Sequence, residues 1–168
     1  MHLENDAEWE ALIGKGIVSF GRIEVLSVKF LDHFLSEEID RSALRQAFSR
    51  RADQVIARLE ARGMPNPDEL GLLEGFRRAK ALVETRNLIA HNPVMLDLYA
   101  RDGSHDLVAE RSIRSIRPNE RTLDLAELRE FAEQVENLAA DLWYHYLRIV
   151  GSAEPLWRRF HGPFADAE

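Results

Sequence analysis

The sequence predicts an all-α fold, an antiparallel four-helix bundle with a β-hairpin inserted between the third and fourth long helices. Three observations carry that expectation. Apolar residues recur at steps of three and four in four long segments, the period of an amphipathic helix. Between the third and fourth segments the period switches to two, and a hairpin turn signal follows. The chain has 168 residues, near the usual size of one domain, so residues 1–168 are read as one unit.

The first helix spans residues 6–35, where Trp9, Leu12, Ile13, Ile17, Phe20, Ile23, Leu26, Phe30, Leu31 and Phe34 form one stripe. Gly14, Gly16 and Gly21 interrupt it, each at up to about 1 kcal/mol against alanine, or else they let a neighbouring helix approach closely. The second helix, residues 42–62, aligns Leu44, Phe48, Val55, Ile56 and Leu59, and Gly63 supplies its C-terminal stop. The third begins at Pro67 or Asp68 and runs to His91, because Pro93 disfavours helical geometry at Asn92. The hairpin insert occupies residues 94–112, with Val94, Leu96 and Leu98 alternating against Met95, Asp97 and Tyr99 around the turn signal Asp102-Gly103. The fourth helix starts at Asp124, where Asp124-Leu125-Ala126-Glu127 resembles a capping box, and Gly151 closes it. A tail, residues 152–168, carries Leu156, Trp157, Phe160 and Phe164, and is expected to dock on the bundle or on a second subunit.

Composition narrows the function classes. There is no cysteine, which excludes a disulfide scaffold, a thiolate metal site and a cysteine nucleophile. The start, Met1-His2-Leu3-Glu4-Asn5-Asp6, is acidic and polar, unlike a secretory signal, so the expected location is cytoplasmic with no membrane partner. A net charge of −7 argues against nucleic acid, but the charge is uneven. Residues 76–121 hold nine basic and six acidic side chains, so the excess acid lies elsewhere. Only three of the 22 basic residues are lysine, and arginine's planar fork suits phosphate better. Arg111, Arg114, Arg117 and Arg121 fall within eleven residues and are the candidate RNA-binding track.

The informative stretch is Glu84-Thr85-Arg86-Asn87-Leu88-Ile89-Ala90-His91-Asn92-Pro93. The stripe of the third helix, Leu72 or Leu73, Phe76, Ala79 and Val83, continues by threes and fours onto Arg86, Asn87, Ala90 and His91. Polar groups therefore stand where periodicity expects core, and a buried arginine demands an anion, a hydrogen-bond network or a wet cleft. Asn87 and His91 are four apart and share a face, while Arg86 and His91 are about 140° apart around the helix and flank it. One helix converges them poorly; two such helices meeting across a symmetry axis would aim both pairs into one cleft.

The run Arg86-Asn87-Leu88-Ile89-Ala90-His91 resembles the Arg-polar-x-x-x-His motif of the HEPN superfamily of helical domains. The motif covers six residues, and its setting, near the end of the third long helix of a bundle, covers about 150. The resemblance implies a metal-independent endoribonuclease acting as a homodimer without cofactor, in a microbial toxin–antitoxin or defence system with an antitoxin as a second partner. Arg86 and His91 then match the catalytic pair and Asn87 the polar residue beside the arginine. Pro93 stands where one toxin branch carries a modifiable tyrosine, so the chain departs from that branch. The alternative implied is a catalytically silent HEPN-like dimerisation or nucleotide-binding module.

Other motifs are weaker. His145, between Tyr144 and Tyr146, reads as a boundary residue of the fourth helix, and His33 as packing or surface. Asp32, His33, Glu37 and Glu38 have no metal-ligand spacing, and no glycine-rich phosphate loop or Gly-x-Ser-x-Gly elbow occurs.

Overall fold

The computed structural model describes residues 6–34, 45–100, 107–115 and 121–151. Among these the chain is mostly helical: α1 (Asp6–Phe34), α2 (Phe48–Ala61), α3 (Pro67–Ala81), α4 (Val83–His91) and α5 (Leu125–Gly151). A small antiparallel sheet completes it, with β1 (Val94–Ala100), β2 (Leu107–Arg114) and β3 (Thr122–Leu123) in that order across the sheet. Both the third strand and the division of the expected third helix into α3 and α4 depart from the pattern reading. The expected tail, with Leu156, Trp157, Phe160 and Phe164, lies outside the described residues. So does the expected start of the second helix at Ser42. Ala47 is extended (φ −56, ψ 149), so α2 begins only at Phe48.

The helix ends follow local chemistry. At α2, Gly63 takes φ +78, the left-handed conformation its missing Cβ permits, and terminates the helix as expected. At α3, Asn66 Oδ1 accepts the Asp68 and Glu69 amides at 3.0 and 2.9 Å, while Glu69 Oε2 accepts the Asn66 amide at 3.0 Å. That is a reciprocal capping box with Pro67 at the first helical position. The box expected at α5 is present as well: Asp124 Oδ1 accepts the Glu127 amide at 2.8 Å and Glu127 Oε2 the Asp124 amide at 3.0 Å.

The chain divides into two compact units, and α1 and α5 each contribute to both. The first comprises Met1–Ile23 with Ala81–Ala139. Its core is built from Trp9 and Phe20 of α1, Ile89 of α4, Ile113 and Leu123 of the sheet, and Leu128, Phe131, Val135 and Leu138 of α5. Here α1 and α5 come close: a Cβ on Gly16 would lie 2.8 Å from Phe131 Cε1, whereas Gly14 and Gly21 have open space. The second unit comprises Glu24–Lys80 with Ala140–Glu168. It buries Leu26, Phe30 and Leu31 of α1, Val55 and Leu59 of α2, Leu72, Phe76 and Ala79 of α3, and Leu142 and Val150 of α5.

In the sheet, β1 and β2 pair from Val94↔Ile113 to Ala100↔Leu107, and β3 adds Ile113↔Leu123 and Arg114↔Thr122. Burial rises across the sheet from β1. Ile113 and Leu123 are fully buried, while Val94, Met95, Leu96, Leu98 and Tyr99 of β1 all remain exposed.

Candidate functional site

The candidate site is built by α4. Its predecessor α3 follows the expected stripe, burying Leu72, Leu73, Phe76 and Ala79. At Leu82 (φ −87, ψ −6) the helix is interrupted, and the buried positions of α4 become Thr85 and Ile89. The expected continuation onto Arg86, Asn87, Ala90 and His91 is thus displaced by one residue. The reason is energetic: a threonine and an isoleucine enter the interior far more cheaply than a guanidinium and an imidazole.

What periodicity assigned to the core instead faces outward. Asn87, Ala90 and His91 are exposed, and Arg86 is half-buried. At about 100° per residue, Asn87 stands between Arg86 and His91 around the helix axis. Arg86 NH1 donates to Asn87 Oδ1 at 3.0 Å, and the Arg86 guanidinium carbon lies 5.7 Å from the centroid of the Phe20 ring of α1. The helix stops at His91 because Asn92 is extended (φ −128, ψ 145) before Pro93, as the proline predicts. Asn92 Nδ2 donates to the Leu88 carbonyl at 2.9 Å, closing part of the C-terminal turn.

Of the expected arginine track, the described members Arg111, Arg114 and Arg121 sit in three different settings. Arg111 is mostly enclosed and ion-paired to Asp6 of α1. Arg114 pairs with Asp97 at 3.1 Å, and strand alternation sets it on the opposite face of β2 from Arg111. Arg117 lies outside the described residues. Arg121 donates to Thr85 Oγ1 of α4 at 2.9 Å, with Glu127 at 3.8 Å.

Beside Arg114 lies a hollow of about 380 Å³ lined by Asp97, Glu110, Ser112, Arg114, Thr122, Asp124 and Glu127. Four carboxylates face one guanidinium there, so the hollow repels phosphate although the surrounding sequence is net basic.

The second unit holds a polar cluster around His145, which the sequence reads as a boundary residue. His145 Nδ1 is 3.0 Å from Asp68 Oδ1, Arg148 Nε donates to Asp68 Oδ2 at 3.0 Å, and Arg148 NH1 donates to the Tyr144 hydroxyl at 3.2 Å. Hydrogen bonds from His145 and then Arg148 hold the Asp68 carboxyl below its ordinary value of 3.8. The Asp68 carboxylate in turn pushes Arg148 up.

Among the described residues no three acidic or histidine side chains are grouped to hold a metal ion, and no helix is long and apolar enough to cross a membrane. Compared with protein-family models, curated proteins and solved structures, the chain matches none.

Proposed function

We propose that the chain is a HEPN-like, metal-independent endoribonuclease, working as a homodimer in a microbial toxin–antitoxin or defence setting, with an antitoxin as second partner. The reading takes with it the antiparallel four-helix bundle with its inserted hairpin, and a cytoplasmic location. One observation carries it: at the end of α4, Asn87 and His91 stand exposed, with Arg86 tied to Asn87 beside them. Chemistry-bearing groups occupy the outer face of a helix whose sequence stripe called for core.

In this reading the RNA supplies its own nucleophile. The 2′-oxygen attacks the adjacent phosphorus, the bond to the 5′-oxygen breaks, and a 2′,3′-cyclic phosphate and a 5′-hydroxyl result. His91 takes the 2′-hydroxyl proton, and the partner subunit's His91 protonates the leaving oxygen. Arg86 stabilises charge on the phosphorane, and Asn87 holds the guanidinium toward it. Arg111, Arg114 and Arg121 of the expected RNA-binding track each stand beside a carboxylate and must leave it to meet phosphate.

The test is RNA cleavage by the purified chain with and without a chelator. Cleavage that persists in chelator, spares DNA, and leaves cyclic phosphate ends is expected. His91→Ala should lower the rate by about 10²–10⁴ while remaining folded and dimeric. Wild-type cleavage by that variant, a need for a divalent metal, or a monomer at micromolar concentration overturns the reading.

The second reading, a catalytically silent dimerisation or nucleotide-binding module, is favoured by one feature: Arg111 and Arg114 are ion-paired within the chain. A dimer that neither binds nor cuts RNA would select it.

A further inference from the structure

We infer that Phe20 is a positioning residue of the candidate site, its ring face setting the orientation of the Arg86 guanidinium; the inference rests on the ribonuclease reading above. The ring is 1% exposed, in α1, a helix the motif does not include. Its centroid lies 5.7 Å from the guanidinium carbon, inside the range of about 6 Å at which a cation is attracted to an aromatic face. An arginine has four rotatable bonds, and a single contact at its tip leaves most of that freedom intact. Two contacts of Arg86 differ in kind. Phe20 offers a π face to the guanidinium, and Asn87 Oδ1 accepts from NH1 at 3.0 Å. A π face and a fixed acceptor together restrict both the position and the rotation of the planar group. Burial makes the ring a fixed platform, since Phe20 is packed on the inner side of α1 and cannot follow a moving side chain.

The division of labour yields a distinct signature. A group that only orients Arg86 for charge developing in the transition state affects kcat and leaves KM unchanged. The experiment compares Phe20→Leu, which removes the π face, with Phe20→Tyr, which keeps it, in steady-state RNA cleavage alongside Arg86→Ala and His91→Ala. Circular dichroism melts accompany each variant. Phe20→Leu is expected to lower kcat about fivefold at unchanged KM, and Phe20→Tyr to stay within about twofold of wild type. The Arg86 Nε–Hε NMR resonance should move in Phe20→Leu and stay in Phe20→Tyr. Should leucine at position 20 unfold the chain, Phe20→Met refills similar volume without a ring and makes the same comparison. The inference is overturned if Arg86→Ala is inactive while Phe20→Leu cleaves at the wild-type kcat with the Arg86 resonance in place. Failure of the underlying reading looks different: the wild type does not cut RNA, or Arg86→Ala and His91→Ala cut as it does, and the positioning role then falls with it.

Discussion

α3 and α4 follow one another along what the sequence reads as a single stripe, yet they obey it differently. α3 buries Leu72, Leu73, Phe76 and Ala79 at the expected spacing. α4, one residue beyond the interruption at Leu82, buries Thr85 and Ile89 and leaves Asn87 and His91 outside. The difference teaches that a hydrophobic period is decided residue by residue by transfer energy. Where the stripe runs onto groups too polar to bury, the backbone changes phase and the polar groups become surface.

The largest effect that would sharpen this contrast is on α3. Phe76→Ala should destabilise the chain by about 3–5 kcal/mol in urea unfolding, and Asn87→Ala by no more than about 0.5 kcal/mol. Comparable losses at both positions would mean that α4 carries a core the burial pattern does not record. Next comes close packing. Gly16→Ala sets a Cβ 2.8 Å from the enclosed Phe131 ring, so overpacking should outweigh the gain in helix propensity and leave a net loss of about 1–2 kcal/mol. Gly71→Ala is the companion case. Its Cβ would meet the His145 ring, which must leave its 3.0 Å contact with Asp68 to make room, so a net loss in unfolding is expected there too.

Capping ranks third. Asn66→Ala removes one half of the α3 box and should cost about 1 kcal/mol, read as a lower urea midpoint with an unchanged slope. The smallest effect depends on pH. Asp68 has a folded-state value below 3.8, so it adds stability at neutral pH that is lost as pH falls below 3.8 through the folded value. The melting temperature of Asp68→Asn should therefore lie below that of the wild type at pH 7, and the gap should close under acid. A gap that widened under acid would show the sign to be wrong.

Most of the helices were legible because their signals are local. The Pro93 stop, the Gly63 stop and the Asp124–Glu127 box each involve a few consecutive residues, and each holds in the structure. The Asn66–Glu69 box was equally local, but Pro65 and Pro67 flank Asn66 and mask it as a cap. The phase change at Leu82 was not legible, because it depends on which neighbour receives Thr85 and Ile89. Nor was the third strand, two residues long and without a period. At the candidate site, the motif could be named from sequence, but its environment could not. Phe20 looks like any core aromatic until its ring is found beside Arg86, and Arg121 looks like one member of a basic run until its hydrogen bond to Thr85 of α4 is seen.

The exposed apolar row on β1 bears on how the protein behaves in solution. Among the described residues β1 is an edge strand, and such an edge offers unpaired amides and carbonyls to any extended chain it meets. Within Val94–Ala100 the single charged side chain is Asp97, and its charge is already engaged by Arg114. The strand therefore has one gatekeeper, and a weakened one. Solubility at high concentration, and fidelity during refolding, should hinge on that carboxylate more than on the stability of either helical core.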